Sequence, residues 1–375
     1  MNSGMARQML RRSFVLWGIV FSVLNADAQD ATESRSSTPP QATPPQATPP
    51  EHSAPLSDRQ QLIVLVGAPG TDEYGATFRS WSARWEEAAK RAEINCTVIS
   101  PVPVAAKAAF ETTTSEKTTP ETAPPVTDLQ RLREAIASAS EVKSEEPLWI
   151  VFIGHGTFDG RTASWNLQGP DVSAEQLAEA CKRLQRPLAI VACASCSAPF
   201  INALSGTDRV IISATKDGNQ IQYSRFGEAM SLAISTLEAD INRDGQTSLK
   251  EAWLFASRRT AEFYKTEGRL ATEHSLLDDN GDSQGIRSEL YEGDRIVANV
   301  EKPQEVDGPL AARWSFVRSE EERRLTPEQR QSRDTLEIQL EELKRRKETM
   351  AESEYLIQLE VLMLPLAELY KSVDQ

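Results

Sequence analysis

The sequence predicts an α/β protein: a mainly parallel sheet with helices on both faces, three layers in all, followed by a C-terminal helical hairpin. Two segments carry the sheet. Leu148-Trp149-Ile150-Val151-Phe152-Ile153 and Pro187-Leu188-Ala189-Ile190-Val191-Ala192 are short, continuous apolar runs bounded by turn residues. That is how strands buried on both faces read, and parallel strands are buried on both faces. The third observation is an alternation of strand, helix and strand between residues 62 and 214, which right-handed crossovers close into a parallel sheet. A chain of 375 residues with 39% hydrophobic content can bury one good-sized core plus appendages.

Residues 1–28 read as an export signal. Arg7, Arg11 and Arg12 precede the apolar stretch Phe14 to Leu24, and Ala26-Asp27-Ala28 forms a small-x-small cleavage site, so the signal would be removed near Ala28. The stretch is too short to span a bilayer, and Arg11-Arg12-Ser13-Phe14 also permits a twin-arginine route. The expected location is periplasmic or extracellular. These residues carry three Arg against one Asp, so the remainder is two charges more acidic than the −14 of the whole chain. Such a surface argues against nucleic acid or anionic membrane as a partner.

Residues 29–58 hold a Thr-Pro-Pro-Gln-Ala repeat, an extended solvated spacer. The main domain is expected over 59–292. Leu62 to Val66 reads as the first strand. Thr77 to Ala92 follows as an amphipathic helix with Phe78, Trp81, Trp85 and Ala88 or Ala89 on one face, and Cys96 to Ile99 as the second strand. Residues 101–127 are a Thr/Pro/Ala/Glu-rich insertion. A helix capped at Thr127 or Asp128 runs to about Ala139, another spans Ala174 to Leu184, and Arg209 to Ala214 is a fifth strand. Residues 293–325 read as a tether and 326–375 as helical, starting at Thr326-Pro327-Glu328-Gln329. There Leu336, Leu340, Leu343 and Met350 line one face, while Tyr355, Leu359, Leu362, Leu366, Leu369 and Val373 form a coiled-coil seam that Pro365 should kink. Both stripes fit a hairpin turning near Ala351 to Glu354.

The two apolar runs end in reactive side chains, His155-Gly156 and Cys193-Ala194-Ser195-Cys196-Ser197. In an open α/β sheet the ligand site lies beyond the carboxyl ends of the strands, where a His and a Cys leaving such ends can face each other. Peptide hydrolysis by Cys needs a thiolate, an imidazole to hold and return the proton, and two N–H donors for the oxyanion. Those roles fall to Cys193 as nucleophile, His155 as general base then acid, and the Gly156 and Cys193 amides. The competing readings are an inert core thiol, a Cys193/Cys196 redox or disulfide pair, and a metal site, for which the folded region offers just His155 and His274 as imidazoles.

Gly154-His155-Gly156 and Ala192-Cys193-Ala194-Ser195-Cys196-Ser197 resemble the corresponding motifs of the caspase and legumain group of cysteine peptidases (clan CD), closest to the bacterial legumain-like proteins. The family usually has Gly where Cys196 stands, so Cys193 falls on the nucleophile position. The resemblance spans about residues 60–292. It implies a caspase-like fold, a cysteine-type endopeptidase acting through an acyl-enzyme without a cofactor, protein or peptide substrates, and a pocket built partly by Lys216 to Tyr223. A helical C-terminal part lies over the cleft in legumain-like zymogens, so the hairpin here is open to autoinhibition as well as to self-association or partner binding.

A second constellation, Asp240 to Glu251, fits an EF-hand calcium loop, with Asp240, Asn242, Asp244, Gln246, Ser248 and Glu251 as candidate ligands and Gly245 at the sixth position. Helical periodicity from Phe226 to Leu237 and from Leu249 to Phe263 flanks it, although Thr247 stands where an apolar residue is usual. Calcium would be structural; the plain alternative is a polar interhelical turn. Asp278-Asp279-Asn280-Gly281-Asp282 is a weaker acidic loop, read as a turn because Ser283 replaces the Gly, although Glu289 falls at the twelfth position. Gly67-Ala68-Pro69-Gly70 lacks the Walker spacing and reads as a simple strand-to-helix turn. The competing function is a non-catalytic, calcium-stabilised binding or scaffold protein on a degenerate peptidase fold.

Overall fold

Seven strands form the central sheet in the order β10-β9-β8-β7-β3-β1-β2. They are β1 (Gln61–Val66), β2 (Asn95–Ile99), β3 (Leu148–Ile153), β7 (Leu188–Cys193), β8 (Arg209–Ser213), β9 (Leu276–Asp278) and β10 (Ile286–Arg287). The pairs from β2 to β8 are parallel, and β9 and β10 add an antiparallel edge. The computed structural model describes residues 59–101, 126–297 and 306–373. The expected export segment, the Pro/Thr-rich linker and nearly all of the 101–127 insertion lie outside the described residues.

Every side chain of β3 and β7 is buried, as their unbroken apolar composition requires. Alternation then sorts them into two layers. Trp149, Val151, Ile153, Ala189, Val191 and Cys193 pack with helices α1 (Asp72–Arg91), α5 (Phe226–Ser235) and α6 (Leu249–Thr266). Leu148, Ile150, Phe152, Leu188, Ile190 and Ala192 face α2 (Asp128–Ser140), α3 (Ala174–Cys181) and α4 (Pro199–Leu204). The protein is a three-layer α/β fold.

Local chemistry sets the helix ends. The Thr71 hydroxyl accepts from the Tyr74 amide, and Asp72 and Glu73 occupy the first turn, so α1 starts five residues before the expected Thr77. Thr127 and Ser173 close reciprocal capping boxes with Gln130 and Gln176 at the starts of α2 and α3. Directly after His155, a small antiparallel sheet forms from β4 (Gly156–Phe158), β5 (Ala163–Trp165) and β6 (Val172–Ser173). These strands are too short for their pattern to show in sequence.

From residue 306 onward the expected tether is part of the core. Ala311 and Phe316 are fully buried, and the Phe316 ring lies edge-on to Trp85 and Trp149, with centroids 5.3 and 5.1 Å away. Its backbone is held by long-range hydrogen bonds from Leu249 N to Trp314 O (2.7 Å), Lys250 N to Ala311 O (3.1 Å) and Gln60 Nε2 to Ser315 O (3.2 Å). Such pairings leave no periodic trace in sequence, which is why this stretch reads as irregular. Between the core and the hairpin, α7 (Glu320–Arg324) adds one short helix, and the β11–β12 ribbon (Tyr291–Glu292 with Arg295–Ile296) precedes the segment.

The hairpin consists of α8 (Pro327–Arg346), opened by a Thr326/Gln329 capping box with Pro327 at the first position, and α9 (Glu352–Val373), with Pro365 inside it. The turn falls at Lys347–Thr349, slightly before the expected place. Tyr355, Leu359, Leu362, Leu366 and Leu369 of the seam are half-buried, whereas Leu356, Ile357, Val361, Met363 and Leu364 of α9 are exposed. No described helix is long and apolar enough to cross a membrane.

Phe316→Ala should destabilise the domain by about 3–5 kcal/mol, the cost of emptying a buried aromatic site. Urea unfolding would measure it, and a loss below about 1 kcal/mol would return this segment to the status of a tether.

Candidate functional site

The strands β3 and β7 are neighbours, with Ile153 directly opposite Cys193. Their carboxyl ends therefore stand side by side. His155 lies two residues beyond Ile153 and continues its parity, and its ring packs on α1 at Tyr74 and Phe78, with centroids 4.9 and 5.2 Å away. Cys193 faces the same layer. Backbone geometry alone thus delivers the two expected reactive side chains to one edge and one face of the sheet.

His155 is oriented by a third group. Its Nε2 stands 3.2 Å from the Pro69 carbonyl, which can only accept, so Nε2 carries the proton and Nδ1 the lone pair. The turn after β1 can come this close because two glycines meet behind it. A Cβ on Gly154 would lie 3.1 Å from Gly67 Cα, and one on Gly67 would lie 2.5 Å from Asn166 O. Burial lowers the imidazole pKa, which keeps it neutral and able to accept a proton near pH 7.

Cys193 is sealed. It is 1% exposed, and a Cβ on Gly227 of α5 would come within 2.8 Å of its Cβ and 2.6 Å of the Trp81 ring. Burial pushes the thiol far above its ordinary pKa, and the nearby Glu273 carboxylate adds to the shift. The resting sulfur is therefore a thiol and not the thiolate that nucleophilic attack needs. All four cysteines are unbridged.

The Gly156 amide, expected as an oxyanion donor, is already spent: it donates to Ser195 Oγ at 3.2 Å, and that hydroxyl donates to Gly156 O at 3.1 Å. A Cβ on Gly156 would meet Ser195 O at 2.2 Å, so only glycine permits this closure. Ser197 clamps the turn to β8, accepting from the Ala214 and Thr215 amides at 3.0 and 3.2 Å. Between the serines, Cys196 adopts φ +56°, the left-handed region that glycine enters most easily. The departure Cys-for-Gly thus sits at a backbone position suited to Gly.

Above the turn lies the segment expected to border a pocket. Cys196 N donates to Gln220 O at 3.0 Å, the Gln220 amide nitrogen reaches His274 Nδ1 at 2.7 Å, and its oxygen accepts from Lys216 N and His274 N. Tyr223 stacks on Tyr74, centroids 4.7 Å apart, beside His155. Glu273 holds the end of this segment: its buried carboxylate accepts from Ser224 Oγ (2.6 Å), Arg225 N (2.9 Å), Phe226 N (3.2 Å) and Tyr264 OH (3.1 Å). It caps α5, whose own N-cap residue, Arg225, makes no side-chain cap. Glu273 thereby holds residues 224–226, between Tyr223 beside His155 and Gly227 against the sealed thiol.

Sequence reasoning missed Pro69, Gln220 and Glu273. For Pro69 the signal was its place in a turn at the carboxyl edge; Gln220 and Glu273 act across long separations that no local pattern marks.

The calcium-type loop lies at the opposite end of α5 and α6 from this site. Asp240 accepts from the Arg243, Asp244 and Gly245 amides, Asn242 Oδ1 from Asp244 N (2.9 Å) and Asp244 Oδ1 from Gln246 N (3.0 Å). Glu251 Oε1 accepts from the Ile241 and Asn242 amides at 3.0 and 3.2 Å, and Gly245 has φ +84°. The Ser248 hydroxyl is engaged in the α6 capping box, and the Gln246 side chain accepts from Ser319 N. Among the described residues, no three His, Cys, Asp or Glu side chains converge as a ready metal site.

No family model and no curated protein matches the chain. Among solved structures it is similar to caspase-1 from Spodoptera frugiperda, at 10% identity over 62% of this chain and 90% of that one, TM-score 0.35. The Drosophila initiator caspase Dronc is similar at 12% identity over 70% and 96%, TM-score 0.38. Protein GSU0716 from Geobacter sulfurreducens matches at 12% over 61% and 97%, TM-score 0.35.

Sealing of this kind should make Cys193 at least about 100-fold slower to alkylate in the native protein at pH 8 than in denaturant. Tyr223→Ala should speed it about tenfold. Peptide mapping after timed iodoacetamide labelling would read both, and fast native labelling would mean that the thiol is open.

Proposed function

We propose that the protein is an exported cysteine endopeptidase of the caspase and legumain type, held in a closed form. The observation that carries this reading is the arrangement of three groups: adjacent strands end in Cys193 and His155, and the Pro69 carbonyl orients the imidazole so that Nδ1 keeps the lone pair.

The chemistry requires the 216–227 segment to withdraw from Cys193. With Tyr223 and Gly227 displaced, the thiol proton passes to His155 Nδ1 and the sulfur attacks the substrate carbonyl carbon. The C–N bond then breaks, the amine leaves with the proton returned by His155, and water hydrolyses the thioester. Withdrawal must also loosen the Gly156–Ser195 lock, so that the Gly156 amide can join the Cys193 amide as oxyanion donors. Residues 1–28 supply the export signal. The Asp240–Glu251 loop would hold structural calcium, supplied at millimolar concentration outside a cell, and the exposed face of α9 suits self-association or an inhibitory contact.

The second reading, a non-catalytic scaffold on the same fold, is favoured by one observation: both the thiol and the Gly156 amide are engaged by the protein's own packing.

Hydrolysis of a fluorogenic peptide library, varied before the scissile bond, separates the two. Cleavage by the full chain or by Tyr223→Ala should vanish in Cys193→Ala, drop by about 10³-fold or more in His155→Ala, and persist in Cys196→Ala. Absence of cleavage even in Tyr223→Ala would leave the scaffold reading standing.

A further inference from the structure

The weaker acidic loop and the segment packed on it bring two buried carboxylate oxygens with no hydrogen-bond partner, one each from Asp278 and Asp307. Asp278 and Asp307 are both 0% exposed. Asp278 Oδ1 accepts from Ser205 Oγ at 3.0 Å and Asp307 Oδ1 from the Asp279 and Asn280 amides at 2.8 and 3.0 Å, yet Oδ2 of each has none. Buried carboxylate oxygens without donors are costly, and more so beside other carboxylates.

From its second position onward the loop repeats bonds of the Asp240 loop, while at the first Ser205 Oγ donates to Asp278 and takes the Ser283 amide. Asn280 Oδ1 accepts from Asp282 N at 2.8 Å, as Asn242 does from Asp244. Asp282 Oδ1 accepts from Gln284 N at 2.7 Å, as Asp244 does from Gln246. Ser283 has φ +65° at the sixth position, where the other loop has Gly245. The twelfth position by sequence, Glu289, is not available to this loop. It pairs with Arg287 on the surface, and β10 has carried it toward His274 at the other end of the sheet. Asp307 stands in its stead: it accepts from the amides of the second and third loop positions, as Glu251 does in the first loop.

We infer that Asp278, Asn280 and Asp282, completed by Asp307 from 28 residues beyond Asp279, form a second binding site for a hard divalent cation of the calcium type. The two buried Oδ2 atoms supply charge, and the Asn280 side chain and the Gln284 carbonyl supply neutral oxygens. Asp282, exposed in this structure, closes over the ion. Reciprocal bonds already join the partners, since Asp279 accepts from the Gly308 and Ala311 amides at 2.7 and 2.8 Å. The ion would therefore fasten β9 to the segment that leads to the C-terminal hairpin.

The test is titration of calcium chloride into the chelator-treated full chain, with magnesium chloride at matched ionic strength as the screening control, reading binding heat and thermal midpoint. Asp307→Asn keeps an acceptor for both amides and removes a buried charge, so its midpoint in chelator should equal or exceed the parent's. It should nevertheless lose one calcium equivalent, or bind it at least tenfold more weakly. Asp244→Asn, confined to the first loop, should leave that equivalent in place. Should Asp307→Asn not fold, exposed Asp282→Asn carries the same expectation. Parent-like calcium binding in these second-loop variants, or an equal midpoint rise with magnesium, would overturn the assignment.

Discussion

The fold rests on the pairing of β3 with β7 at the centre of the sheet, with both strands buried on both faces. Neither strand has a polar residue to spare, so each alternate side chain must serve one of the two helical layers. That constraint places Trp149, Val151 and Ile153 with Ala189, Val191 and Cys193 against α1, α5 and α6. It also brings His155 and Cys193 to the same edge. Strand parity thus sets the placement of the two side chains, and the turn at Pro69 then orients the imidazole.

The same parity creates the conflict at the site. As the last residue of β7, Cys193 is an apolar core position as well as the proposed nucleophile, and the α1/α5 layer treats it as core. A thiol in that position is inert, because desolvation disfavours the thiolate. The imidazole by comparison is neutral, oriented by the Pro69 carbonyl and packed against the Tyr74 and Phe78 rings. Segment 216–227 touches both, Tyr223 beside the imidazole and Gly227 against the thiol, and it is held by Gln220 and by the Glu273 carboxylate. Segment 216–227 is thus fastened by a few directional hydrogen bonds.

At the opposite end of the sheet the chain uses the same device for stability. Carboxylates reach across long separations to satisfy backbone amides: Glu251 for the Asp240 loop, Asp307 for the β9–β10 loop, and Asp279 in return for residues 308–311. Glu146 extends the pattern, pairing with Arg318 and Arg330 at the approach to the hairpin. In this acidic chain these inward carboxylates cap amides or meet a guanidinium.

The sequence by itself determined the five parallel strands, most of the longer helices and the caps at Thr127 and Thr326, because hydrophobic period and N-cap chemistry act within a few residues. It also determined the candidate pair, since His155 and Cys193 each directly follow or end a readable strand. Tertiary structure decided whether that pair is open, which oxygen orients the imidazole, that the Gly156 amide is spent on Ser195, and that residues 306–319 belong to the core. It decided as well that Asp307, and not Glu289, faces the second acidic loop. In every such case the partner lies tens of residues or more away, and burial and hydrogen bonding at that range depend on where the sheet carries the chain, which no local pattern records.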